Sequence, residues 1–165
     1  MKAKTLEALL RGGKVKRYHT MPISGEQTVA AHTYNVIAVL MYITEGKASR
    51  DMILEALSHD TPEWRLGDIP FGQKSAQYEA QERAFKEEWE IPTYELTAEE
   101  LLIVKEADVL EMGIFGSWQV DLGNRAGAEI MANVLRYFNG KQVEPPTGVF
   151  LEALEKHLEE FINEG

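Results

Sequence analysis

Apolar residues recur every three to four positions along almost the whole chain, and the breaks in that rhythm fall where helices should end. The first stretch covers about 3–11 and stops at Gly12-Gly13. A second carries an apolar stripe through Val29, Val36, Ile37, Leu40 and Met41, and Gly46 closes it. Ser24 and Gln27, in an S-x-x-Q pattern, predict the capping box that opens this helix. A third helix is predicted from Ser49 as N-cap, through Ile53, Leu54 and Leu57, to His59-Asp60. Pro62 suits the first turn of a short helix that ends near Gly67. A long polar helix follows over about 73–89, and Thr97 with Glu100 forms a second capping box opening a helix to about Met112. Gly113 and Gly116 predict a turn. Helices near 124–138 and 148–162 complete the chain, the last preceded by Pro145-Pro146.

Strand signals are scarce, because the β-branched residues fall on helical periods rather than in alternation. The expected class is therefore all-α: one compact bundle of about six to eight helices spanning 1–165. A chain of 165 residues with 44% hydrophobic and 27% charged side chains has the balance of one ordinary globular domain. No apolar run approaches the ~18–20 residues that span a bilayer, and the first residues lack the apolar stretch of a signal peptide. The expectation is a cytoplasmic protein (host cytoplasm if phage-encoded) with no membrane partner.

Charge and cysteine content narrow the chemistry. A net charge of -10 argues against a grip on long nucleic acid, which needs a basic face, but leaves room for a mononucleotide held by a few placed cations. With no cysteine there can be no disulfide, thiolate ligand or thiol nucleophile. Any metal must be held by His, Asp or Glu.

The informative segment is His59-Asp60-Thr61-Pro62-Glu63. An adjacent His and Asp at a helix end can offer one imidazole nitrogen and one carboxylate oxygen to a single ion beyond the terminus. Glu63 follows at i+4 from His59, on the same face, so a carboxylate stands beside the ion without having to ligate it. A metal lowers the pKa of a water and a neighbouring carboxylate takes its proton, which is what phosphoester hydrolysis requires. Further ligands must come from elsewhere. His32 is flanked by small residues on the second helix, and Asp108 is an acid on an otherwise apolar helical face. Alone, Asp60 could cap a helix and Asp108 could pair with Lys105. As an ordered H…HDxxE…D set on predicted helices they form a mixed N/O site suited to Mn²⁺, Co²⁺, Zn²⁺, Ni²⁺ or Fe²⁺ more than to calcium.

These residues resemble the HD-domain phosphohydrolase superfamily, and within it the compact nucleotide hydrolases that include bacterial YfbR-like 5'-deoxynucleotidases and phage dATP triphosphohydrolases. The similarity runs through Val15-Lys16-Arg17-Tyr18, the stretch from Glu26 to Thr33, His59 to Glu63, Gly67-Asp68-Ile69-Pro70, and Val104 to Asp108, over about residues 10–115. It implies one divalent transition metal (Co²⁺, Mn²⁺ or Zn²⁺) on His32, His59, Asp60 and Asp108; a triphosphate substrate could bring Mg²⁺ of its own. It implies Glu63 as the residue that activates water and Asp68 as a group bearing on the sugar or on in-line geometry. Arg17 and Lys74 would bind phosphate. Lys105, one turn before Asp108 and on its face, is a third candidate. Tyr18 stands where a tryptophan commonly follows the arginine, and its ring could still stack on sugar or base. The implied ligand is a small deoxynucleotide and the implied assembly a homo-oligomer, a dimer or an assembly built from dimers. The implied activity is hydrolysis of a dNTP, with dATP favoured, to deoxynucleoside and triphosphate. The alternatives are a 5'-deoxynucleotidase acting on dNMP and a non-catalytic nucleotide-binding module.

Overall fold

The computed structural model describes residues 2–70 and 72–164. In chain order its elements are α1 (Ala3–Gly12), β1 (Lys16–Arg17), β2 (Gln27–Thr28), α2 (Val29–Ile43), α3 (Arg50–Ser58), α4 (Glu63–Leu66), α5 (Ala76–Glu88), α6 (Ala98–Asp121), α7 (Ala126–Phe138) and α8 (Pro145–Glu164). The class is all-α, apart from one two-residue antiparallel ribbon pairing β1 with β2. No helix among the described residues is long and apolar enough to cross a membrane.

Everything is arranged around α6, which at 24 residues is about 36 Å long. Its start is the predicted capping box: the Thr97 hydroxyl accepts from Glu100 N–H at 3.1 Å, and the Glu100 carboxylate accepts from Thr97 N–H at 2.9 Å. Buried residues then occur on every side of the helix, from Val104 to Val120. That distribution is what a helix enclosed by neighbours needs. Helices α2 and α3 pack along one flank, α7 and α8 along the other, and their apolar side chains close one core containing Val36, Leu40, Leu110, Met131, Val134 and Leu154. A smaller cluster of Ala8, Phe85 and Ile91, with Trp64 and Trp89 packed against it, joins α1, α4 and α5. The ring of Trp64 lies 4.8 Å from that of Trp89, so its role is packing.

Two expectations are corrected. Gly113 and Gly116 do not form a turn; they lie inside α6, which continues unbroken to Asp121. Their lack of a side chain serves helix crossing instead. A Cβ on Gly127 of α7 would run into the Gly116 carbonyl oxygen and lie 2.7 Å from Gln119 Cβ, so the two helices touch backbone to backbone. The second correction concerns Ser24 and Gln27, which do not cap α2. Thr28 caps it, accepting from Ala31 N–H at 3.2 Å. Ser24 N–H donates to Gln119 Oε1 at 2.7 Å, and the Gln27 amide is drawn into the interior. Helix α8 also begins at Pro145, three residues before the expected start, because proline is at home in a first turn.

Candidate active site

The buried face of α2 carries two polar residues among its apolar ones, His32 and Thr33, and only His32 is ionisable. His32 lies on the face that buries Val36, Leu40 and Ile43, and its side chain is fully enclosed against α6. His59 caps the C-terminal end of α3, Asp60 follows in the turn, and Asp108 projects from the middle of α6. The four meet at one point. His32 Nε2 is 3.1 Å from Asp108 Oδ1 and 3.4 Å from Asp60 Oδ2, while His59 Nε2 is 3.2 Å from Asp60 Oδ2 and 3.7 Å from Asp108 Oδ1.

Each imidazole is aimed by its other nitrogen. His59 Nδ1 faces the Ala56 carbonyl oxygen at 2.8 Å, as a donor, which turns Nε2 towards the carboxylates. His32 Nδ1 faces Glu111 Oε2 at 2.5 Å, and both residues are fully buried. The other Glu111 oxygen accepts from Gln27 Nε2 at 2.7 Å and from Asn35 Nδ2 at 3.0 Å. Glu111 is thus the orienting carboxylate behind His32, an arrangement that fixes tautomer and ring plane. Sequence reasoning missed it. The signal available was an acid inside Val109-Leu110-Glu111-Met112-Gly113, three residues after Asp108 and one turn along the same helix.

The residues present fit a small divalent cation. His32 Nε2 and His59 Nε2 are buried and have no hydrogen-bond partner. Together with a carboxylate oxygen of Asp108 they form a group whose ligand atoms lie within 4.8 Å of one another, and Asp60 Oδ2 borders both nitrogens. The local field favours positive charge: burial pushes His59 down, but Asp60 and Asp108 outweigh it and raise it to about 10. Burial likewise opposes ionisation of the two acids. His59, Arg17 and His32 nevertheless hold Asp60 well below the usual carboxylate range, and His32, His59 and Lys105 do the same for Asp108.

Glu63 behaves differently. It begins α4, is buried, and its Oε2 has no hydrogen-bond partner. Burial and the neighbouring Asp60 charge push its carboxyl up to about 8, partly offset by Arg17. A cation on the adjacent donors would draw it back down, leaving an ionised base within the range useful for proton transfer at neutral pH.

These groups open into a cavity of about 570 Å³ lined by Arg17, Tyr18, Asp60, Glu63, Asp68, Lys74, Lys105 and Asp108 among others. Arg17, brought inward by the ribbon, donates from Nη1 to Asp60 Oδ2 at 2.5 Å. Tyr18 has φ of 55°, a left-handed conformation that costs energy for a residue with a side chain. The Tyr18 ring stacks on Phe115 at 4.8 Å, and Asp68 accepts from Tyr18 N–H at 2.9 Å, so both hold that corner in place. Lys74 reaches Glu82 at 2.8 Å, and Lys105 donates to the second oxygen of Asp108 at 2.6 Å. His19 stands 3.7 Å from Asp68, and His157 pairs with Asp121 outside the cavity lining.

Comparison with known proteins matches the sequence to a family. A model of the HD domain matches residues 11–113, a span that contains all four converging residues, Glu63 and Glu111. The fold also superposes on the HD phosphohydrolase DatZ of cyanophage S-2L, a structure bound to dA and one catalytic Zn²⁺ ion. That superposition has a TM-score of 0.63 over 97% of this chain and 98% of that one, at 17% identity, so the likeness is one of fold. No curated protein sequence matches the chain.

Proposed function

Because the chain belongs to the HD-domain family, we propose that it is a metal-dependent deoxynucleotide phosphohydrolase that releases triphosphate from a dNTP, dATP preferred, by attack of water at the α-phosphorus. We read residues 1–165 as a single catalytic domain of this type. The observation that carries the reading is Glu63: a buried carboxylate with an unpartnered oxygen, facing the cavity beside four convergent N and O donors. A protein that only bound nucleotide would have no use for a base held there.

His32, His59, Asp60 and Asp108 would hold the cation, which when bound would acidify a water and offset phosphate charge. Glu63 takes a proton from the attacking water. As the new bond to the α-phosphorus forms, the bond from that phosphorus to the 5' oxygen breaks. The 5' oxygen takes up one proton, in net terms the one Glu63 removed, and leaves as the alcohol, while the phosphate chain departs as triphosphate. Arg17 is placed to exchange its bond with Asp60 for one with a phosphate oxygen, and its planar fork suits that ligand. Asp68 keeps the Arg17-Tyr18 corner oriented by accepting from the Tyr18 amide. Lys74 and Lys105 line the same cavity and supply positive charge for the β- and γ-phosphates.

A 5'-deoxynucleotidase would use the same water, base and phosphorus on a monophosphate. The three cations about the cavity favour the longer phosphate chain. Anion-exchange analysis of products from each dNTP and dNMP, with Mg²⁺, Mn²⁺ and Co²⁺ tested separately, separates the two. Intact triphosphate from dATP is expected; phosphate from dNMPs alone would make the protein a nucleotidase. Glu63→Gln should keep nucleotide binding while losing roughly 10²–10⁴ of the rate. Near-normal turnover in that variant would remove Glu63 as the base. A homo-oligomer, dimeric or built from dimers, is part of the same reading and is checked by sedimentation.

A further inference from the structure

We propose that Glu129 and Asn133 of α7 read the nucleobase, with the Glu129 carboxylate accepting hydrogen bonds from an exocyclic amino group of the base. This rests on the nucleotide-hydrolase reading for the identity of the ligand, but the pair can be tested without any hydrolysis.

Helix α6 supplies a ruler along the cavity. Lys105, Asp108 and Met112 all line it, at spacings that put them on one helical face over a length of about 10 Å. Charge is unevenly spread along that length. Arg17, Lys74 and Lys105 gather with the acidic ligands, whereas Met112 begins an apolar end to which Met21 and Ile130 contribute. Just beyond, Tyr18 stacks on Phe115. The phosphates belong with the cations, so the nucleoside extends towards Met112 and Ile130, whose side chains suit the faces of a base.

Helix α7 runs antiparallel to α6, with Gly127 against Gly116 and Val134 against Gly113, so Glu129 and Asn133 stand at that apolar end and Tyr137 further along toward Asp108. Glu129, Asn133 and Tyr137 recur every four residues, one stripe on one face, and all three line the cavity. None is cationic, and a carboxylate here would repel a phosphate. No described residue pairs with Glu129. Asn133 Oδ1 accepts from Arg136 Nη1 at 2.9 Å, which pins the amide and leaves Nδ2 to donate. The wall therefore presents one acceptor-only group and one donor a turn apart.

An ionised carboxylate can only accept. Adenine, cytosine and guanine carry an exocyclic amino group that reaches out from the ring to such an acceptor. Thymine offers one ring N–H between two carbonyl oxygens, and hypoxanthine one beside a carbonyl; their lone pairs repel the carboxylate. Glu129 thus selects for amino-bearing bases, and Asn133 donates to the ring nitrogen or carbonyl beside them.

The test uses deoxynucleosides, which need neither phosphate contacts nor turnover. Dissociation constants for deoxyadenosine, deoxyguanosine, deoxycytidine, thymidine and deoxyinosine are measured by NMR titration of the full chain. Deoxyinosine lacks the 6-amino group of deoxyadenosine and the 2-amino group of deoxyguanosine, so each comparison isolates the edge that Glu129 reads. At least one of the two purines should bind roughly 10-fold more tightly than deoxyinosine, as a hydrogen bond to a charged group implies. In Glu129→Ala that ratio should fall to about one, and Asn133→Ala should weaken the preferred nucleoside. Glu129 is solvent-facing, so its removal leaves the core intact, and unchanged circular dichroism checks this. Deoxyinosine binding as tightly as both purines, a ratio unaltered in Glu129→Ala, or no saturable binding by any nucleoside would each overturn the proposal. Base discrimination without hydrolysis of any dNTP would instead sink the enzymatic reading and leave the base site standing.

Discussion

The rings of His32 and His59 lie 5.5 Å apart and face the same two carboxylates, yet the protein holds them by different means. His32 stands on a floor of buried charge, backed by Glu111, Gln27 and Asn35, where nothing can move without leaving an unpaired polar group. His59 stands on the open side, 17% exposed, aimed only by a carbonyl of its own helix. Beside it Lys74 and Lys105 make ion pairs while still nearly half exposed. The floor is made rigid by burial, whereas the open side keeps side chains that can exchange one partner for another. The proposed function, a cation held continuously and a substrate briefly, would use both.

Substitutions should separate the two regions, and the largest effect belongs to the floor. Glu111→Ala would strand His32, Gln27 and Asn35 together, at a cost of about 3–5 kcal/mol. Urea denaturation should show this as a lower midpoint, and elemental analysis should show reduced metal retention. A midpoint equal to wild type would mean that the network bears no load. Next comes the crossing that clamps α7 onto α6: Gly127→Ala forces a methyl group into the Gly116 carbonyl and should cost about 1–3 kcal/mol. Thermal unfolding reads it, with no change expected in the metal bound by whatever remains folded. The smallest effect on stability belongs to the open side. Lys74→Ala removes an exposed ion pair with Glu82 and should move stability by no more than about 1 kcal/mol. KM for a triphosphate should rise several-fold with kcat little changed. A stability loss as large as that of Glu111→Ala would erase the distinction between the regions.

The same contrast decides what could be read from the chain. The convergence of His32, His59, Asp60 and Asp108 could be anticipated because the ordered H…HD…D pattern on predicted helices suggested that they meet. Most helix boundaries were legible too, since caps such as Ser49 and Thr97 are local. Ser24 and Gln27 show why others were not. Their pattern matches that of Thr97 and Glu100, but Glu111, 84 residues away, claims the Gln27 amide. A capping motif is a local option, and a buried carboxylate with unmet hydrogen bonds outcompetes it. Gly113 and Gly116 mislead for a related reason. Glycine in a sequence suggests a chain reversal, but here a neighbouring helix needs the space, and that neighbour is invisible until the chain has folded.

The ribbon of β1 and β2 is only two residues long, but it works as an alignment key. Its register pairs Arg17 with Gln27, and both side chains point inward: one to Asp60, the other to Glu111. A single rung therefore ties the cavity's arginine to the support beneath His32. Side chains alternate along a strand, so inserting one residue within β1 or β2 would turn one of these groups outward. The rung fixes both ends of the connection from 18 to 26, and Tyr18 and Ser24 within it are held in turn by Phe115 and Gln119. Chimeras that exchange this connection should be joined outside the rung and should carry Tyr18 and Ser24 with it.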